Sequence, residues 1–361
     1  QMRPDRGIFR LPVDRAFSVR GFGTIVTGTV LSGRVRPRDE VALLPEGRTL
    51  RVRGIQIHGG DVEVAEVGAR AAVNLTGVEV EEVERGDILA QPGYFSTTYM
   101  IDARLNLLPD APIPLRNRAR VHLHLGPGEV LARVILLEAD ELHPGGSQLV
   151  QFRLESPGVA ARGDRFVIRR YSPVHTLGGG IVLDAQPAKH RRHREEVHEN
   201  LRGLEQDDPT RVLAHRLASA GFQAKTPREL ASEMGLAPED VESRLRELID
   251  AGDAVAVPQA GQELYVGAEI WQDLLRRTQD ALSAFHSSHP LQAGIRPNEL
   301  RLQVAGAYDP DTFGRAVDHL LDVGALSANG PLVSLAGHRI RLSPQQEQLR
   351  EQIGSRLREG K

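Results

Sequence analysis

The sequence predicts a multidomain β-plus-α chain: two small β-barrels followed by two winged-helix domains. Three observations carry that reading. The first 187 residues are short apolar and β-branched runs cut by Gly and Pro. The residues after them change to helical spacing, and that helical pattern occurs twice. A length of 361 residues fits several domains of ~100–200 residues each. Hydrophobic residues at 40% and charged residues at 26% exclude a mainly disordered chain.

In residues 1–187 the strand-like runs include Thr24–Val30, Ile101–Leu108, Ala119–Leu125 and Ser147–Leu154. Turn signals lie between them at Gly33, Pro45–Gly47, Gly59–Gly60, Gly126–Gly128 and Gly145–Gly146. Many short strands with regular turns argue for barrels or sandwiches. Pro92–Gly93 is the best joint, which gives one barrel over 1–92 and a second over 93–187. This half carries 23 basic and 22 acidic residues and is near neutral. Residues 188–196, with Lys189, Arg191, Arg192 and Arg194, read as a basic linker in preference to a phosphate contact.

The first winged helix is expected over 197–268. Thr210–Ala220 has helical apolar spacing, and Thr226–Pro227–Arg228–Glu229 is a capping box with Pro at the first helical position. A third helix starts at Ala237–Pro238–Glu239 and stops at Gly252. Ala254–Val257 and Glu263–Val266 can pair around Gly261 as a wing. The second unit, 269–338, repeats the order: helices over Trp271–His286, Arg296–Leu302 and Asp309–Val323, the last capped by Asp309, then a wing over Ala325–Leu335. Residues 339–361 read as the start of a third unit, opened by a cap at Ser343–Pro344. Position 1 is Gln and the chain stops within a helical pattern, so the expectation is a piece of a longer, monomeric protein.

Much chemistry is excluded. Without cysteine there is no disulfide, thiolate metal site or cysteine nucleophile. A P-loop needs G-x-x-x-x-G-K-[ST], and the only Gly–Lys is Gly360–Lys361. No enzymatic activity is therefore expected of this chain. Gly21–Phe22–Gly23 and Gly178–Gly179–Gly180 open no helix and read as bulges or tight turns. His122 with His124, and His190 with His193 and His198, lack a further ligand at zinc spacing, so neither a metal nor a cofactor is expected here. No apolar stretch approaches the ~20 residues of a membrane span, and the start, Gln1–Met2–Arg3–Pro4, shows no signal-peptide pattern. Residues 197–268 hold 7 basic and 13 acidic residues. Such a surface is repelled by phosphates, which leaves the two units as spacers or protein docks.

Two stretches of the first barrel are distinctive. Arg20–Gly21–Phe22–Gly23–Thr24–Ile25–Val26–Thr27–Gly28–Thr29–Val30 and Glu84–Arg85–Gly86–Asp87–Ile88–Leu89–Ala90–Gln91–Pro92–Gly93 resemble the second domain of the elongation factor Tu-like translational GTPases. Arg165–Phe166–Val167–Ile168–Arg169, followed by Gly178–Gly180 and Ile181–Val182, looks like the close of that family's third domain. Phe9–Arg10–Leu11–Pro12–Val13–Asp14–Arg15–Ala16–Phe17 is similar to the opening of the selenocysteine-specific elongation factors, which carry winged helices after their barrels.

The resemblance implies a cytoplasmic factor that binds selenocysteinyl-tRNA and delivers it to the ribosome at recoded UGA codons. GTP and Mg2+ would belong to a GTPase domain ahead of the first barrel. An mRNA hairpin would bind further winged helices beyond the second. Carried over by position, the selenocysteinyl-binding residues are Asp14, Arg15 and Arg70. Two guanidiniums favour a selenolate, which is ionised near neutral pH, over a neutral serine hydroxyl. A neutral serine hydroxyl leaves these buried cations unpaired, at a cost of several kcal/mol. Expected tRNA contacts are Arg116, Arg118, Arg120, His122, His124, Arg169 and Arg170. Competing readings are a winged-helix regulator or scaffold with ligand-binding barrels, and another elongation factor Tu-like translation factor.

Overall fold

The computed structural model describes residues 5–359 except 20, 22, 207, 222, 260–261, 306–309 and 341–343. The expected caps at Asp309 and Ser343, the turn at Gly261 and the motif residues Arg20 and Phe22 lie outside the described residues. The chain divides into two compact units. One is Gln1–His215 with Pro227–Arg246; the other is Arg216–Thr226 with Glu247–Lys361.

The first unit opens with nine strands: β1 (Arg10–Val19), β2 (Gly23–Thr29), β3 (Arg34–Val35), β4 (Glu40–Leu44), β5 (Arg48–Ile57), β6 (Gly60–Asp61), β7 (Ala65–Glu66), β8 (Arg70–Thr76) and β9 (Ile88–Ala90). The order β4-β9-β1-β2-β8-β5 closes on itself because β5 also pairs with β4. Inward side chains such as Leu11, Val13, Val26, Val73 and Leu89 fill the interior. Outward positions on β2 and β8 alternate with them, as a half-buried strand demands. Gly28 sits where a Cβ would collide with the backbone of Pro12, so the family-like glycine is a close approach of strands.

The second barrel is formed by β10 (Thr98–Leu107), β11 (Leu115–Arg116), β12 (Arg120–Leu125), β13 (Gly128–Leu136), β14 (Glu141–Leu142), β15 (Ser147–Gly158), β16 (Arg165–Arg170) and β17 (Thr176–Asp184). Six of these close in the order β10-β15-β13-β12-β16-β17, with β11 and β14 paired apart. Phe152 meets Phe166 edge-on inside it, with ring centroids 5.0 Å apart. Gly178–Gly180 lie within β17, where added Cβ atoms would strike the backbones of β10 and β16. A register shift lies beside them, between Ile168 and Arg169.

The barrels meet along a seam. Arg10 of β1 is buried and pairs with Asp164 of the second barrel at 2.7 Å. Arg85 Nε donates to the Pro127 carbonyl at 3.2 Å. Gly86, at φ +104°, stands against Gly128, whose Cα would be 2.6 Å from an added Cβ.

The basic stretch after β17 lies along the second barrel. Arg192 donates to the carbonyls of Leu136 and Ala139 and pairs with Asp140. His190 Nε2 lies 2.5 Å from the buried Asp102 carboxylate, which also accepts from Gln151. Hydrogen bonding to Asp102 raises the His190 pKa, while burial raises that of Asp102. A helix that the sequence pattern did not announce follows, α1 (Glu195–Gly203), because it buries only His198 and Leu201. Next come α2 (Pro209–Ser219), α3 (Pro227–Met234) and α4 (Pro238–Ala251). Arg104 grips Glu205 through two bonds, and Arg162 donates to the carbonyls of Leu204 and Gln206, which fastens the α1–α2 loop to the barrel.

In the second unit a hairpin of β18 (Ala254–Gln259) and β19 (Gln262–Gly267) precedes α5 (Ala268–Ser288), α6 (Pro297–Ala305) and α7 (Pro310–Asp322). Strands β20 (Leu326–Asn329) and β21 (Leu332–Leu335) form the second wing, and α8 (Pro344–Glu359) ends the chain. Trp271, Leu274 and Leu282 of α5 pack with Phe313, Val317 and Leu320 of α7. Both are helical spacings that were legible in the sequence.

Two outcomes test these contacts. Gly86→Ala destabilises the chain in urea unfolding by about 2–3 kcal/mol, through positive φ plus collision. Gly47→Ala, also at positive φ but with open space around it, costs only about 1 kcal/mol. The raised His190 pKa gives a contribution to stability that is complete below about pH 6.5 and is lost as pH rises through the folded-state value. Asp102 shifts in the same sense. The stability difference between the native chain and His190→Asn therefore shrinks from pH 6 to pH 9, and a difference constant across that range contradicts the pairing.

Candidate functional site

The candidate face on the first barrel begins with a break in strand alternation. Val13 and Ala16 both turn inward, yet two residues separate them. The register resolves this by a bulge: Val13 pairs with Gly28 and Arg15 with Thr27, which leaves Asp14 as the extra residue. A bulge re-aims side chains, and here Asp14 and Arg15 both end opposite Thr27 on the outer face. Arg70, the first residue of β8, lies opposite Thr29 one strand further on.

Arg70 and Asp14 form a forked pair, with Nη1 to Oδ2 at 2.6 Å and Nη2 to Oδ1 at 3.3 Å. Thr27 Oγ1 donates to Oδ1 at 2.6 Å, so both carboxylate oxygens are engaged. Arg15 is exposed beside this cluster, and among the described residues its guanidinium has no ion pair. Phe17, 37% exposed, stands opposite Ile25 on the same face and supplies an apolar edge. Arg70 has been neutralised by Asp14, whereas Arg15 leaves one net positive charge facing solvent.

The expectation of two buried cations is corrected. The Arg70 side chain is 64% exposed and that of Asp14 is 27% exposed. The outward direction of β8 at position 70 is the reason, since Ala71 and Val73 take the inward places. The several-kcal/mol penalty for unpaired buried cations does not apply to this open face. Thr27 was missed from sequence, although its place one residue before the Gly28 approach put it on the outer side of β2.

On the second barrel, Arg120, His122 and His124 alternate outward along β12, with Val121 and Leu123 inward. Arg169 of β16 is in register with His122, and Arg133 of β13 with Arg120. Arg120 forks Glu155 at 2.9 and 2.5 Å and lies 4.4 Å over the Tyr171 ring. Tyr171 also stacks on His122, with centroids 5.6 Å apart, and His122 Nδ1 is 2.5 Å from Glu129. The Arg120 bond holds the Glu155 carboxyl below its ordinary range. Burial pushes the His124 pKa down against the pull of Glu129. Four of the seven expected tRNA contacts thus share one face. The other three do not join it. Arg116 pairs with Glu141 on the separate β11–β14 ribbon, Arg118 occupies a turn at φ +67°, and Arg170 alternates to the other side from Arg169. Tyr171 and Arg133 were missed; a Tyr directly after Arg169–Arg170 at a strand end was the available signal for the first.

Among the described residues no three His, Asp or Glu side chains form a group that could hold a metal ion. Among the described residues no helix is long and apolar enough to cross a membrane.

Two closed barrels in tandem, followed by helix–wing units, define the body of an elongation factor Tu-like translation factor. Residues 23–90 match the family described as Elongation factor Tu domain 2. Residues 102–189 match the Selenocysteine-specific elongation factor, beta-barrel domain, and residues 279–335 match Elongation factor SelB, winged helix. The chain belongs to the selenocysteine-specific elongation factor family. It is 34% identical over 353 residues to the selenocysteine-specific elongation factor of Desulfomicrobium baculatum, covering 96% of this chain and 55% of the relative. It is 28% identical over 348 residues to that of Escherichia coli K12, covering 94% and 52%. The chain spans about half the length of the curated relatives it matches. A solved bacterial selenocysteine-specific elongation factor EF-Sec shares the fold over 92% of this chain and 50% of its own, with TM-score 0.66 at 20% identity.

An exposed ion pair contributes about 0–1 kcal/mol. Arg70→Ala and Asp14→Asn accordingly shift the unfolding free energy by less than about 1 kcal/mol in urea titrations. A loss of several kcal/mol in either variant marks the pair as structural instead.

Proposed function

We propose that this chain is the tRNA-binding and spacer portion of a selenocysteine-specific translation elongation factor. It takes selenocysteinyl-tRNA for delivery to the ribosome at recoded UGA codons, in a cycle driven by GTP and Mg2+ on a GTPase domain of the family. The observation that carries the proposal is the Asp14–Arg70–Thr27 cluster with Arg15 unneutralised beside it. The relatives' shared description as selenocysteine-specific elongation factors supports it.

The geometry divides the labour between the two arginines. Asp14 fixes the Arg70 fork and spends its charge. Arg15 presents a free guanidinium, which attracts a selenolate and gains nothing from a serine hydroxyl. Phe17 gives the aminoacyl methylene an apolar neighbour. The tRNA body would lie on the second barrel, where Arg120, His122, Arg133, Arg169 and Tyr171 offer phosphate contacts and a flat ring without needing a basic net charge. The acidic residues Glu239, Asp240, Glu242, Glu247 and Asp250 on α4 suit a spacer better than a nucleic-acid reader.

Binding of selenocysteinyl-tRNA and seryl-tRNA, measured with a GTPase domain of the family fused upstream, tests this. The selenocysteinyl form binds more tightly by about tenfold or more, and Arg15→Ala removes most of that ratio. Arg120→Ala and Arg169→Ala weaken both tRNAs alike and reduce the salt dependence. Equal affinities for the two tRNAs, or a ratio untouched in Arg15→Ala and Arg70→Ala, overturn the assignment.

A further inference from the structure

A cavity of about 1000 Å3 lies within the first unit, walled by the start of the first barrel, one end of the second, and the α1–α2 and α3–α4 loops. Its charges do not cancel. Of the carboxylates that line it, Asp164 is taken by Arg10, Asp14 by the Arg70 fork, and Glu205 by Arg104. Asp5 Oδ1 accepts from the backbone of Gly7 and Gly33. Only Asp240 remains without a partner.

Three arginines on the same walls have no ion pair. Arg6 reaches only the Arg162 carbonyl. Arg244 Nη1 donates to Thr210 Oγ1 at 2.9 Å, and its Nε is buried with no partner. Arg165 is exposed, with no side-chain bond. Room for the Arg6 head is made by two glycines: a Cβ on Gly163 would collide with it, and one on Gly235 would come within 3.3 Å. Three guanidiniums against two carboxylates without an ion pair, Asp5 and Asp240, with a buried donor unsatisfied, is a surplus that an anion of several oxygens relieves.

We propose that this cavity binds a phosphate group, gripped by Arg6 and Arg244 with Arg165 at its edge. Asp14 lines both this cavity and the barrel face at Arg70, but the three arginines proposed here differ from Arg15 and Arg70 and do not depend on the aminoacyl reading. Burial depresses the Arg6 pKa, Asp164 pulls it back up and Arg10 adds to the depression, so a further anion beside Arg6 favours its charged form. The phosphate can come from a free oligophosphate such as a nucleotide, or from the end of an RNA strand.

Calorimetric titration of the 361-residue chain with pyrophosphate, and separately with a 5′-phosphorylated trinucleotide, reads out both sources. Saturable one-to-one binding is expected, weakened about tenfold in Arg6→Met and Arg244→Met and unchanged in Arg350→Met on α8. Asp240→Asn, an exposed change that keeps the fold, tightens binding by a few-fold. Trinucleotide binding at least about tenfold tighter than pyrophosphate, with the same arginine dependence, assigns the phosphate to RNA; the reverse order assigns it to a free ligand. No saturable binding of either probe, or binding indifferent to Arg244→Met and Asp240→Asn, overturns the site.

Discussion

Closing the first barrel requires Val13 and Ala16 to point inward although two residues separate them. Strand geometry alternates sides at every step, so one residue must be expelled from register. The chain expels Asp14, and everything on the candidate face follows from that act. Asp14 and Arg15 arrive side by side above Thr27. Arg70 reaches across β2 to the carboxylate, and Arg15 is left as an unneutralised charge. A regular strand would have driven Arg15 into the core. The packing demand of the interior thus creates the polarity of the exterior.

The second organising feature is the seam. A buried ion pair such as Arg10–Asp164 adds little over a hydrophobic contact of equal volume, but breaking it from one side costs about 3–5 kcal/mol. Such a contact selects one arrangement of the barrels more than it strengthens that arrangement. The Gly86–Gly128 approach has the same character, since it tolerates no intervening side chain. The arginine–glutamate grip on the α1–α2 loop extends this arrangement into the helical part of the first unit.

The architecture was legible because its signals are local. Gly and Pro punctuation marked the strands, and Pro227, Pro238 and Pro297 stood at the first turns of α3, α4 and α6. Helix α1 was not legible, because two buried residues make no periodic stripe. At the candidate site, the identities of Asp14, Arg15 and Arg70 came from family motifs, and their meeting is a matter of register across three strands that no spacing along the chain encodes. Their exposure was misread for the same reason: whether position 70 faces in or out depends on which parity closes the barrel. The grouping of Arg120, His122, His124 and Arg169 was half visible, since alternation along β12 is local and the pairing with β16 is not. The interdomain cavity was invisible, being walled by residues as distant in sequence as Arg6, Gly163 and Arg244.

The glycine-to-glycine contact at the seam carries one last implication. A Cβ on Gly86 would meet the Gly128 backbone, so the spacing of the two barrels at this point is set by two residues that carry no side chain.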